Sequence, residues 1–386
     1  MKKVSSVFLG IAISLLLFVG CGKTPQPTPS KQPEKATETT GGSTRMVSSL
    51  KEGFANDFTV GVAIDLYQLK DAELSALIRE QFNSITMGNT MKPEAILDQK
   101  GCEESKDGMP VINEDVLKKQ LSLAKENGLK MRGHTLVWHN QTPPWFFCEK
   151  YDVSNDKIDK ETLKKRLESY IQKVLTYCQE NYPGVVYAWD VVNEPFSDAG
   201  GYRTESNWYE IYGDASYIED AFAAAKKYAD KDVKLFLNDY NSYMPNKRDS
   251  MVEEVKKLVA KGLIDGVGFQ SHWDMSYPDV SLLEEEIEKF SSIGNLEIQY
   301  TEIDMHNTDK SKESMQAQAK RYKDFFEVIV KADREKKANI TNVTFWGLND
   351  EVTWLTSFRG ETSYPLLFDE NNKKKPCFDS IMQLAK

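Results

Sequence analysis

Residues 185–195 read Val-Val-Tyr-Ala-Trp-Asp-Val-Val-Asn-Glu-Pro. Val185–Val192 is short and rich in β-branched and aromatic side chains, which is the composition of a strand. It runs out at Asn193 and Glu194, and Pro195 then cannot donate to a ladder. Working outward, runs of the same kind occur at Thr59–Ile64, Phe82–Met87, Lys130–Val137, Lys234–Leu237, Gly266–Gln270, Leu296–Ile303 and Asn342–Leu348. Amphipathic helical stretches alternate with them: Asp71–Gln81, Asp115–Asn127, Lys160–Asn181, Ser216–Ala229, Lys247–Lys261, Ser281–Ser291 and Met315–Ala332. A strand joined to the next through a helix-sized connection pairs in parallel. Eight such units predict an α/β fold, a (β/α)8 TIM barrel, as one catalytic domain. An open doubly wound sheet is the alternative, but no Gly-x-Gly-x-x-Gly follows the first strand.

The ends bound that domain. Lys2 and Lys3 precede an apolar run, Val7 to Val19, with Gly20 and Cys21 after it. A short basic region, a short apolar core and a small residue read as an export signal over residues 1–20. Cys21 is the expected lipid attachment point, although Phe18 stands where lipoproteins usually carry Leu; an ordinary cleaved signal is the other reading. Residues 21–49 hold Pro25, Pro27, Pro29 and Pro33 among Thr, Ser, Lys and Glu, a composition that builds no core and serves as a linker. The barrel then occupies residues 50–386. An exported chain, anchored at the cell surface by lipid or else secreted, and acting as a monomer, is the expectation.

The formal net charge is −10, and no block of basic residues interrupts it. That argues against nucleic acid and for a neutral or weakly charged partner. Cys102, Cys148, Cys178 and Cys377 show no metal-like spacing and are either free buried thiols or disulfide partners. With four His and no His-Glu-x-x-His or Cys-x-x-Cys pattern, no catalytic metal and no cofactor are expected.

In a barrel of this kind chemistry gathers where the strands run out. The unusual polar and aromatic residues fall there: Asn89 and Lys92 after the second strand; His134, Trp138, His139 and Gln141 at the third; Asn193 and Glu194 after the fourth. Asn238, Asp239 and Tyr240 follow the fifth, Gln270 and His272 the sixth, Glu302, Asp304 and His306 the seventh, and Trp346, Asn349, Asp350 and Trp354 the eighth. All four His belong to this set. Glu194 and Glu302 each place a carboxyl group at the end of an apolar strand, which is costly unless the group is used or paired. Two carboxyl groups facing each other across a groove are what cleavage of a glycosidic bond requires.

The segments FNSITMGNTMKPE (82–94), RGHTLVWHNQTPPWF (132–146), WDVVNEP (189–195), LNDYN (237–241), GFQSHW (268–273), YTEIDM (300–305) and FWGLNDEVTW (345–354) together resemble glycoside hydrolase family 10, the xylanases. The resemblance spans nearly the whole domain. It implies endo-acting hydrolysis of β-1,4-xylan and xylo-oligosaccharides with retention of configuration, Glu194 being the acid/base and Glu302 the nucleophile. It implies supporting roles for Asn193, His272 and Asp304. By the same resemblance Asn89, Lys92, His134, Trp138, Gln141, Tyr240, Gln270, Trp346 and Trp354 contact sugar. One position departs from the pattern: Gly88 stands where the family carries Glu before the Asn. The departure removes a hydrogen-bond partner and leaves room for a substituent or another sugar, unless a positive φ dictates glycine there. A β-1,4- or mixed-linkage glucanase and a non-catalytic glycan-binding lipoprotein are the competing readings.

Overall fold

The computed structural model describes residues 47–386. The signal segment, Cys21 and the linker as far as residue 46 lie outside the described residues. Eight strands form the barrel: β1 Thr59–Ile64, β2 Ser84–Met87, β3 Lys130–Trp138, β4 Val186–Asn193, β5 Lys234–Asp239, β6 Gly266–Phe269, β7 Glu297–His306 and β8 Asn339–Phe345. Every adjacent pair is parallel. The ring closes where β1 pairs with β8, Thr59 opposite Asn342 and Val62 opposite Phe345.

Helices occupy each crossover, as the spacing predicts. Lys160–Asn181 shows why such a helix forms. Asp159 caps it by accepting the N–H of Thr162 at 2.7 Å, a contact of about 0.5–2 kcal/mol. Leu163, Leu167, Tyr170, Ile171, Val174, Leu175 and Cys178 then recur every three or four residues and are buried against the barrel. The remaining expected helices sit within a few residues of Ala72–Gln81, Glu114–Glu126, Ser216–Tyr228, Pro245–Ala260, Val280–Ser291 and Lys312–Arg334.

Two strand ends differ from expectation by three residues, and both bear on the site. β7 continues through Asp304 to His306, where the sequence pattern suggested an end at Ile303. The extension persists because a short segment, His272–Asp274, pairs with it and sets His272 opposite Asp304. β8 ends at Phe345, so Trp346 starts the following loop. The four cysteines from Cys102 onward are free and buried, and burial pushes the Cys178 and Cys377 thiols up to about 12. Of the two alternatives for them, thiols are what the structure contains.

Inside the barrel mouth the packing turns polar. Arg132 of β3 is buried, donates two hydrogen bonds to Asp190 of β4 at 2.6 and 3.0 Å, and a third to Gln299 of β7 at 2.6 Å. This charge-paired layer is the floor on which the site is built. Gly268 in β6 shows how little space there is, since a Cβ there would lie 2.3 Å from Asn238 Oδ1.

Candidate active site

A cleft of about 820 Å³ opens at the C-terminal ends of the strands. Thirteen of the expected site side chains, both glutamates among them, line it; Asp304 lies behind them with no exposed surface.

Glu194 follows β4 directly, with its backbone at φ 55°. That left-handed conformation costs a side-chain-bearing residue about 1–3 kcal/mol, so neighbouring contacts must hold it. Its N–H donates to the Asn238 carbonyl at 2.9 Å. Its carboxyl oxygens accept from Trp138 Nε1 at 2.9 Å, Gln270 Nε2 at 2.9 Å and Asn193 Nδ2 at 3.3 Å. His139 stands 3.9 Å from it, with a pKa lowered to about 4 by burial and by the cations Arg203 and Lys247, against the pull of Glu194. His139 is therefore neutral at ordinary pH and supplies no charge to its neighbour.

Glu302 lies within β7 and is only 4 % exposed. Asn238 Nδ2 donates to its Oε1 at 2.9 Å, and His272 Nε2 is 3.3 Å from its Oε2. The other His272 nitrogen meets Asp304 Oδ1 at 2.9 Å, and Asp304 Oδ2 accepts from Trp354 Nε1 at 2.9 Å. Burial alone would lower His272; the Asp304 carboxylate and the hydrogen bonds to Asp304 and Glu302 reverse this and raise it to about 10. An imidazolium with both nitrogens donating is the species that fits this geometry. Burial pushes the Glu302 carboxyl up. The His272 hydrogen bond and the His134 and His272 imidazoles outweigh it, holding Glu302 below the usual carboxylate range.

Amides join the two carboxyl groups. Gln270 Nε2 donates to Glu194 and, at 3.2 Å, to Asn193 Oδ1; Asn238 Nδ2 donates to Asn193 Oδ1 at 2.9 Å and to Glu302. Asn238 is itself fixed by Thr301, whose hydroxyl donates to its Oδ1 at 2.6 Å. On the wall beside β2 and β3, Lys92 donates to Gln141 at 2.8 Å and Asn89 at 3.2 Å and lies 4.9 Å over the Trp138 ring. Burial lowers the Lys92 ammonium in spite of the two glutamates nearby. His134 shares Asp190 with Arg132 through a 2.9 Å contact, and Trp346 packs edge-on against it. Tyr240 accepts from Arg203 at 2.9 Å.

Three residues grouped by position with the mouth belong elsewhere. Asn349 caps the turn at Asp350–Val352, and Asp350 forms a buried ion pair with Lys375 at 2.8 Å. His306 contacts Ser363 and Glu361 and does not line the cleft. Their side chains follow the loop after β8 rather than the strand ends. Conversely, Asn238 bridges to Glu302, though sequence position gave it no role beyond its place in Leu-Asn-Asp-Tyr-Asn. Tyr243, Tyr277, Phe358 and Arg359 also line the cleft; the two tyrosines lie in loops and the other two in the short helix Leu355–Arg359, none of which a local pattern marked. Among the described residues no group of three or more His, Cys, Asp or Glu is arranged to hold a metal ion.

Gly88 lines the cleft outside the left-handed region. A Cβ there would meet only Ile64 O at 3.7 Å and Asp65 Oδ1 at 3.9 Å. Conformation does not require glycine at this position, so the open space is what remains to explain.

A parallel barrel with two carboxyl groups lining one cleft at its mouth is the kind of site at which glycoside hydrolases work. The family description Glycosyl hydrolase family 10 matches residues 49–384, and the chain belongs to that family. It is 46 % identical to endo-1,4-beta-xylanase B of Butyrivibrio fibrisolvens over 87 % of this chain, and spans 53 % of that relative's length. It is 43 % identical to a putative endo-1,4-beta-xylanase of Caldicellulosiruptor saccharolyticus, covering 76 % of this chain and 96 % of the relative. A solved structure of the Clostridium thermocellum xylanase 10B CBM22-1–GH10 modules, complexed with xylohexaose, superposes with a TM-score of 0.80 at 37 % identity. That match covers 88 % of this chain and 67 % of the other. The Caldicellulosiruptor owensensis endo-1,4-beta-xylanase superposes with a TM-score of 0.75 at 38 % identity, covering 87 % and 99 %.

Proposed function

We propose that the domain is an endo-1,4-β-xylanase that cleaves xylan and xylo-oligosaccharides by a retaining double displacement. The observation that carries the mechanism is the unequal treatment of the two carboxyl groups. Glu302 is held ionised by an imidazolium and an amide, whereas Glu194 meets neutral indole and amide donors. Such an inequality is what separates a nucleophile from an acid. In the first step a Glu302 oxygen bonds to the anomeric carbon as the glycosidic C–O bond breaks, and the Glu194 proton passes to the departing oxygen. In the second, water gives a proton to Glu194 and bonds to the same carbon, releasing the Glu302 carboxylate. Two inversions restore the β configuration. In this reading Asn193 hydrogen-bonds the sugar 2-hydroxyl, a contact that strengthens as charge develops. Lys92, Asn89, Gln141 and His134 hold hydroxyls on one side, and Trp138, Trp346 and Trp354 offer flat apolar faces to the sugar rings. The xylanase names of the relatives support the choice of xylan.

The test is a pair of variants. Glu302→Ala should abolish turnover on every substrate. Glu194→Ala should keep kcat/KM for aryl xylosides with good leaving groups, which need little protonation, and added azide should give the β-glycosyl azide. An α-configured first product in proton NMR of wild-type digestion would overturn the nucleophile assignment. Cleavage of carboxymethylcellulose in preference to xylan would overturn the substrate.

A further inference from the structure

Beneath the Glu194 turn lies a group of charges that the two-step reaction does not use. Lys247, on the helix Pro245–Ala260, has no exposed surface. Its Nζ is 2.8 Å from Asp239 Oδ1, 3.0 Å from Asp198 Oδ1 and 3.4 Å above the Tyr240 ring. Asp239, equally buried, accepts the N–H of Phe196 at 3.3 Å and of Tyr240 at 2.9 Å. Arg203 approaches from the other side. Its Nε donates to the Glu194 carbonyl at 3.1 Å, and its Nη2 donates to the Phe196 carbonyl at 3.4 Å and the Tyr240 hydroxyl at 2.9 Å. The Arg203 N–H also donates to the Pro195 carbonyl at 2.8 Å. Every backbone group that the side chains of Asp239 and Arg203 hold belongs to Glu194, Phe196 or Tyr240.

That is the segment in which Glu194 sits in its left-handed conformation. Strain of this kind persists only where surrounding contacts over-determine it. Burying Lys247 and Asp239 is itself costly unless they are paired and bonded, so their presence here calls for a reason beyond packing. We propose that Arg203, and the buried Asp239–Lys247 pair through Phe196 and Tyr240, are positioning residues that aim the Glu194 carboxyl at the departing glycosidic oxygen. The inference rests on the assignment of Glu194 as proton donor. None of the three residues touches the reacting atoms in this role; they fix the main chain from which the acid projects. Proton donation tolerates little misplacement, and a shift of about 1 Å can cost about a hundred-fold in rate.

The test separates substrates by their need for an acid. Arg203→Met and the charge-neutral double variant Asp239→Asn/Lys247→Met are assayed for kcat/KM on xylotetraose and on 2,4-dinitrophenyl β-xylobioside, with Glu194→Ala beside them. Both variants should lose about ten- to a hundred-fold on xylotetraose and stay within about two-fold on the dinitrophenyl substrate. A partly unfolded preparation lowers both values by one factor and leaves their ratio unchanged, so a purely structural role does not imitate this result. Should the double variant fail to fold, Arg203→Met decides alone, because that side chain is only partly buried. Equal losses on both substrates, or none on either, overturn the positioning role. If Glu194→Ala itself shows no difference between the substrates, the acid assignment falls and this inference with it. A selective loss in Glu194→Ala without one in Arg203→Met removes the inference alone.

Discussion

His272 carries its charge because Asp304 and Glu302 face its two nitrogens, and that arrangement links it to pH. Its folded pKa of about 10 lies above the unfolded value of about 6.5. The charge therefore contributes stability that is full below about pH 6.5 and is lost as pH rises through about 10. His272→Asn should be less stable than wild type at pH 6, and the gap in melting temperature should narrow by pH 10. The same substitution removes the main group that lowers Glu302. The Glu302 carboxyl should then protonate at higher pH, moving the acid limb of kcat/KM upward. A limb that stays in place would show that Glu302 draws its ionisation from Asn238 and His134 instead.

At the scale of elements, the decisive feature is how each strand end delivers side chains to a neighbour. β7 reaches past Glu302 because His272–Asp274 pairs with it, and this pairing brings Asp304 behind His272. Trp138 and Trp354, expected as flat walls, also donate to Glu194 and Asp304, so each wall is tied to the carboxyl network it encloses. The turn after β2 does the opposite and leaves a gap at Gly88, with ordinary backbone and only Ile64 O and Asp65 Oδ1 within 4 Å of a Cβ. A charged acceptor bonding a sugar hydroxyl contributes about 1.5–3 kcal/mol, and the nearby Asp65 carboxylate subtracts from it. Gly88→Glu should therefore raise kcat/KM on linear xylo-oligosaccharides by about three- to thirty-fold with an unchanged melting curve. An unchanged or lower value at equal stability would mean that the missing carboxylate is no limitation, and would favour a gap that serves a decorated or different sugar.

Across the whole molecule, the two ends of the described barrel are fastened together away from the cleft. Arg334, at the end of the helix Lys312–Arg334, donates to both oxygens of Asp57 at 2.8 and 2.7 Å and to the Leu384 carbonyl at 2.9 Å. The Lys386 N–H donates to Gly53 O at 3.1 Å. The β1–β8 seam closes between these ends. Arg334→Ala leaves the partly buried Asp57 and a carbonyl without their donor, at about 1–3 kcal/mol. A fall of a few degrees in melting temperature with kcat unchanged is expected. A comparable fall in kcat would show that the seam transmits strain to the mouth.

The sequence by itself determined the barrel, because strand and helix periods repeat locally and a parallel crossover admits few closures. It also determined which strand ends carry chemistry, since polar residues at the end of apolar runs such as Val185–Val192 stand out without any fold in hand. The Gly88 departure was legible only through the resemblance to family 10, which carries Glu at that position. What the chain alone left undecided was reach. That Asn238 bonds Glu302, that Asp350 turns away to Lys375, and that Lys247 lies under the Glu194 turn are matters of side chains meeting across elements. Lys247 read simply as the first residue of a helix, and its burial against Asp239 depends on where that helix docks. Tertiary structure alone decided these pairings, because burial makes each charge seek a partner and only the closed barrel sets which partners lie within hydrogen-bond distance.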